Sequence, residues 1–175
     1  MAQNSHSVKV MKTPLRKVVL SLAILLILVS ATPRPALAST KQSFSALLVM
    51  PPGGPSCDRI WIDEEGVIHA RGCVQNGTIE GDLAGEVALT FNMNLLSVGE
   101  TGPQDGVVSG KGTVSVDGGG GVSYRISVNV VFVGGEGTGK FVILGVGSFV
   151  GTHVVGMIAV SGDEPAELIG TLFTA

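Results

Sequence analysis

In this 175-residue chain, the residues whose types and spacing could do chemistry are two cysteines and the charged and aromatic side chains between them. Ile60-Trp61-Ile62 and Val67-Ile68-His69-Ala70 flank Asp63-Glu64-Glu65-Gly66. A three-residue loop with Gly66 in the left-handed region closes these runs into a hairpin with Asp63 opposite Val67. Continuing that register sets Trp61 opposite His69, Arg59 opposite Arg71 and Cys57 opposite Cys73. Opposed residues on antiparallel strands have Cα atoms about 4.5–5.5 Å apart, a separation that a disulfide spans. The register therefore predicts a Cys57–Cys73 bridge; two free thiols or a link between chains are the alternatives. Alternation places Ile60, Ile62, Ile68 and Ala70 on one face, and Arg59, Trp61, Asp63, His69 and Arg71 with the disulfide on the other. That second face reads either as a solvated surface with Trp61 packed on the disulfide, or as a binding patch of Arg59, Trp61, His69 and Arg71. In the binding reading, guanidinium forks over an aromatic floor suit carboxylates.

Other reactive patterns are weaker. Gly134-Gly135-Glu136-Gly137-Thr138-Gly139-Lys140-Phe141 approaches a phosphate-binding loop, but Phe141 replaces the metal-binding hydroxyl and no helix follows. A glycine-rich turn is the better reading. His69 and His153 are isolated and the cysteines are paired, so no metal site and no cofactor is expected. Ser148 has no base visible in the sequence. Glu80, Asp82 and Glu86 could do proton chemistry, or they are solvated acids at strand ends. Asn76-Gly77-Thr78 is a glycosylation sequon, which matters only on a eukaryotic secretory route.

Strands must position all of these. Val122, Tyr124, Ile126, Val128, Val130 and Phe132 alternate with Ser123, Arg125, Ser127 and Asn129, so Val122–Val133 reads as an antiparallel strand with one face in a core. Val107–Val116 precedes it across Asp117-Gly118-Gly119-Gly120-Gly121. Aligning Val116 with Val122 sets Val114 against Tyr124, Gly112 against Ile126 and Gly110 against Val128, so that small residues face large ones and the sheet can bend. Further strands are read at Phe44–Val49, from Gly85 through Leu95, at Lys140–Leu144, Phe149–Val160 and Glu167–Thr174. The loop Met50–Ser56 holds three prolines, and Ser97–Asp105 reads as a rim loop. Phe149–Val160 is apolar at both parities apart from Thr152 and His153, which predicts a core on one side and a neighbouring subunit on the other.

The first 38 residues carry five basic residues and no acid, a mainly apolar stretch from Val18 to Ala31, and Ala36-Leu37-Ala38. This predicts an export signal cleaved after Ala38, because the stretch is shorter than the ~20 residues a bilayer span needs. A retained anchor is the competing reading. The processed chain, residues 39–175, is expected to be one domain, extracytoplasmic and without a stable membrane span. It keeps all 14 acids but only Lys41, Arg59, Arg71, Lys111, Arg125 and Lys140, too few and too scattered for nucleic acid.

Val131-Phe132-Val133-Gly134-Gly135-Glu136-Gly137-Thr138-Gly139-Lys140-Phe141, followed by Gly145-Val146-Gly147-Ser148-Phe149, resembles a glycine-rich segment of the dirigent and allene oxide cyclase proteins. Val108-Ser109-Gly110-Lys111-Gly112-Thr113 looks like the strand before it there, so the resemblance covers about residues 106–160. It implies an eight-stranded antiparallel barrel, often trimeric, with an apolar lumen that orients a hydrophobic molecule. The catalytic residues of neither branch match this chain.

These readings converge on an all-β protein, an antiparallel barrel of about eight strands, with a two-sheet sandwich as the alternative. Its expected function is to bind a hydrophobic small molecule in the lumen, with Phe91, Met93, Tyr124 and Phe132 lining or filling the interior. The other hypotheses are an enzyme of the dirigent or cyclase type and a structural or adhesive surface module.

Overall fold

A computed structural model of the protein describes residues 39–100, 102–116, 121–162 and 164–175. The predicted export signal lies outside the described residues. Among the described residues nine strands run in chain order: β1 (Thr40–Val49), β2 (Arg59–Ile62), β3 (Ile68–Gly81), β4 (Gly85–Gly99), β5 (Gly102–Ser115), β6 (Tyr124–Val133), β7 (Glu136–Gly145), β8 (His153–Ser161) and β9 (Ala166–Thr174). One 3-10 turn, Gly147–Phe149, separates β7 from β8.

All the pairings are antiparallel, and they follow the order β1-β9-β8-β7-β6-β5-β4-β3-β2. A ladder from Ala46↔Gly81 to Val49↔Thr78 joins β1 to β3 and closes eight strands into a ring. That closure makes the fold barrel-like and distinguishes it from an open sandwich. The ninth strand, β2, does not enter the ring. It pairs with β3 from Arg59↔Arg71 to Ile62↔Ile68, on the edge of β3 that β1 uses further along. The proline-rich loop links β1 to β2 along that shared edge.

The interior follows from alternation. In β6, Tyr124, Ile126, Val128, Val130 and Phe132 are buried, and the residues between them are exposed. They join Phe44, Leu48, Ile79, Val87, Leu89, Val114, Phe141, Ile143, Val154, Ile158 and Leu168 in one core. At about 1.5–3 kcal/mol for each fully buried large side chain, this cluster is the main stabilising term of the domain. Glycines admit the largest members. A β-carbon at Gly156 would stand 2.7 Å from the Phe141 ring, and one at Gly137 would stand 2.7 Å from that of Phe132.

The register of β5 and β6 is the expected one from Val114↔Tyr124 through Gly110↔Val128 to Val108↔Val130. Val122 departs from expectation: it precedes β6 and is exposed, because the pairing stops at Tyr124. Ser97–Asp105 is not a rim loop. The strands continue to Gly99 and resume at Gly102, with Ser97↔Asp105 and Val98↔Pro103 paired across irregular steps. Ser97 Oγ donates to the Asp105 carboxylate at 2.7 Å, and the Gly134 N–H donates to the same carboxylate at 3.0 Å. Those bonds hold polar, proline-containing sequence in a ladder that propensity alone would not favour. Phe149 lies in the 3-10 turn and the strand begins at His153, because Gly147 takes a positive φ of 60°.

Candidate functional site

The hairpin of β2 and β3 is closed as its sequence dictates. The Asp63 N–H donates to the Val67 carbonyl and the Gly66 N–H to the Asp63 carbonyl, both at 3.1 Å, with Gly66 at φ 85°. Trp61 opposes His69, and their rings stack with centroids 4.9 Å apart and planes at 20°. The guanidinium carbons of Arg59 and Arg71 lie 4.5 and 5.3 Å from the Trp61 ring centre. Cation–π attraction explains how two arginines directly opposite each other are tolerated.

The polar partners of this cluster show how its groups are used. Arg71 donates to the Met93 carbonyl at 2.7 Å, the Ala70 carbonyl at 3.0 Å and Asn94 Oδ1 at 2.7 Å. Its fork is thereby committed to β4 and is not free to grip a carboxylate. His69 places Nε2 2.7 Å from Asp63 Oδ2 and Nδ1 2.8 Å from Asn94 Oδ1. Both ring nitrogens face oxygen acceptors, an arrangement that only the imidazolium satisfies fully. The hydrogen bond to Asp63, then that to Asn94, accordingly raises the His69 pKa above its ordinary value. The same bond from His69 is the main cause that lowers the Asp63 pKa. The cluster fastens the hairpin turn to β4.

The bridge joins Cys57 to Cys73, as the register predicts, and the isolated bridge Ser56↔Val74 continues that register. Its face is a correction. Between Ala70↔Met93 and Cys73↔Phe91 two residues of β3 oppose one of β4. This bulge at Arg71-Gly72 inverts the alternation, so Cys73 is fully buried on the inward side, away from the Trp61 face. Trp61 therefore packs on His69 and the arginines rather than on the disulfide.

Phe91, Met93, Tyr124 and Phe132 are the residues expected to line or fill the interior. Tyr124 and Phe132 are buried in the core, eight residues apart on β6 and hence about 26 Å apart along the strand. Tyr124 packs on Phe149 at 4.9 Å, and burial raises its hydroxyl pKa. Phe91 is half-buried against the core, and Met93 is half-buried outside that cluster. Side chains fill the ring at these positions. Among the described residues Ser123 is the one buried polar residue, so no carboxylate or imidazole is buried inside.

A concave site of about 600 Å³ lies instead on the outside, at the seam where the ring closes. Val49 and Pro51 form one wall of it. The register places Asn76 beside Ala88 and Thr113, and Thr78 beside Glu86 and Ser115, as two rows of outward residues across β3, β4 and β5. Apolar Val49, Pro51 and Ala88 thus stand beside hydroxyls, an amide and one carboxylate. The three acids singled out above separate: Glu86 lines this groove, Glu80 accepts from Thr78 at 3.4 Å, and Asp82 accepts the Ser45 N–H at 2.7 Å. In the sequence Asn76 and Thr78 stand out only as part of a sequon. The groove left no signal in the sequence, because it depends on the β1–β3 closure between segments about 30 residues apart.

The segment resembling a phosphate loop forms the Gly134-Gly135 turn and β7, with no helix. Among the described residues no cluster of potential metal ligands occurs, and no helix is long and apolar enough to cross a membrane. No protein-family model matches this chain, and no curated protein matches it.

Proposed function

We propose that this protein is an exported small-molecule binding module whose ligand sits in the seam groove rather than in the lumen. The observation that carries the reading is the pairing of a side-chain-filled ring with an external concavity of about 600 Å³. Ligand sites commonly measure about 300–1,000 Å³ and set a few polar groups in an apolar lining. Here Val49, Pro51 and Ala88 would take the apolar body of the ligand, and Glu86, Thr78, Thr113 and Ser115 would bond to hydroxyl or amine groups on one edge. Export agrees with the disulfide, which persists in oxidising compartments. Binding is favoured over the dirigent or cyclase type of catalysis because the reading needs no buried acid or base.

Native mass spectrometry of protein purified from its own cells tests this. The expected result is an added mass that Ala88→Trp, an exposed substitution filling the groove, removes without lowering the melting temperature. A bound mass that survives Ala88→Trp but is lost in Phe132→Ala would move the ligand to the lumen and overturn the proposal.

A further inference from the structure

The strand β2 ends the sheet with one edge unused. Among the described residues it pairs with β3 alone, and no strand lies along its other side. The hairpin turn sets which groups that edge presents. Because the Asp63 N–H donates to the Val67 carbonyl, Asp63 and Val67 are a hydrogen-bonded pair, and in an antiparallel ladder such pairs recur at every second residue. Arg59 and Trp61 therefore direct their backbone groups to β3, whereas Ile60 and Ile62 aim N–H and C=O outward. Ile60 and Ile62 are 64% and 66% exposed, so this edge stands open. An open edge is a template for another strand, and β2 carries neither the lysine nor the proline that commonly blocks such pairing.

The residues along this edge are self-complementary. Read outward from Trp61, the run Arg59-Ile60-Trp61-Ile62-Asp63 sets isoleucine against isoleucine and a base against an acid. We propose that a second copy of this chain adds its own β2 to the edge, antiparallel, about a two-fold axis normal to the hairpin and passing through Trp61. Ile60 of each copy then exchanges N–H···O bonds with Ile62 of the other, which is the phase in which the outward groups already stand. The axis keeps the two faces continuous, so Trp61 meets Trp61 and Arg59 meets Asp63 on one face, while the isoleucines meet on the other. Arg59 has no ion-pair partner among the described residues. The Asp63 carboxylate, with about four acceptor positions, serves Glu65 N–H, Val67 N–H and His69, which leaves it room for a further donor. Moving the axis to Ile60 would oppose Arg59 with Trp61, and moving it to Ile62 would oppose Ile60 with Glu64. Neither alternative pairs the charges. The contact is short, below the ~1,200 Å² of stable interfaces, so the dimer dissociates on dilution through the micromolar range.

Sedimentation equilibrium of the purified protein up to about 500 μM tests the pairing, with emission from Trp61, the single tryptophan of the chain, followed over the same range. The wild type is expected to dimerise, and the emission to shift with the same midpoint, because Trp61 lies on the axis. Ile60→Pro removes an outward N–H that β3 does not use, and it should be monomeric with the NMR titration midpoint of His69 unchanged. Arg59→Glu, which sets an acid against Asp63 of the other copy, should raise the dissociation constant about tenfold, and it decides the matter if Ile60→Pro disturbs His69. Under oxidation Ile60→Cys and Ile62→Cys proteins should cross-link when mixed and not when alone, since Ile60 opposes Ile62 within disulfide reach. A wild type that stays monomeric, or forms trimers, overturns the proposal, as does an Arg59→Glu protein that associates as tightly as the wild type. A monomer that binds an extended peptide along β2 would assign the edge to another protein and likewise overturn it. Cross-linking of either cysteine variant alone overturns the axis at Trp61.

Discussion

Trp61 lies nearly flat on His69, with ring centroids 4.9 Å apart, while the imidazole edge is held 2.7 Å from the Asp63 carboxylate. A tryptophan face favours a cation beside it, so the stacking and the hydrogen bonds both stabilise the charged ring.

A pH window follows. The His69 pKa is raised on folding, so its contribution to stability is complete below the unfolded value of 6.5 and is lost as pH rises through the folded value. The Asp63 pKa is lowered, so its contribution is present above 3.8 and is lost as pH falls through the folded value. The pair therefore stabilises the hairpin most between these limits. In NMR titration His69 should protonate above 6.5, and Asp63→Asn should bring it back toward that value. A wild-type midpoint at or below 6.5 would refute the assignment.

The disulfide closes a loop with a sequence separation of 16 residues and should contribute on the order of 3 kcal/mol through the unfolded state. Replacing Cys57 and Cys73 together by serine is expected to lower the unfolding free energy measured in urea by that amount, and with it the midpoint, while the β-sheet circular dichroism persists. Equal midpoints for the two proteins would show that the bridge constrains little. Because Cys73 is fully buried, reduction of the native protein should be slow and should accelerate in denaturant.

Gly137 lies under Phe132, where an added β-carbon would stand 2.7 Å from the ring. Gly137→Ala should destabilise by about 1–3 kcal/mol through overpacking. The clash is with a side chain, so Phe132→Leu should relieve part of it, giving a favourable coupling energy in a double-mutant cycle. Strict additivity would mean that the ring does not rest on Gly137.

Much of this architecture is legible from local pattern. The facing of Gly110 and Gly112 with Val128 and Ile126 specified the β5–β6 register, and the Glu64-Glu65-Gly66 loop specified the pairing from Arg59 to Ile62. What was not legible depends on single-residue irregularities or on distant segments. The bulge at Arg71-Gly72 moves Cys73 to the opposite face; such a shift inverts the alternation, but Gly72-Cys73-Val74-Gln75-Asn76-Gly77 alternates too weakly for the inversion to be read. The paired stretch around Ser97 and Asp105 looks like loop because its ladder is held by a side-chain hydrogen bond. The candidate groove needed β1 to reach β3, and alternation is silent about which strands become neighbours across a ring.

That closing contact supports a last prediction. Asp82 follows β3, and its carboxylate accepts the Ser45 N–H at 2.7 Å while its own N–H donates to the Ser45 carbonyl at 3.0 Å. These two bonds extend the short β1–β3 ladder by one position, at the seam beside which the groove lies. Asp82→Ala removes the side-chain bond and keeps the backbone one, so the cost should be about 0.5–1.5 kcal/mol. The effect should be local. Amide exchange of Ser45 and Leu47 should accelerate while that of Ile126 and Val128, on the opposite side of the ring, stays at the wild-type rate. If exchange quickened equally around the ring, Asp82 would be supporting global stability rather than the seam.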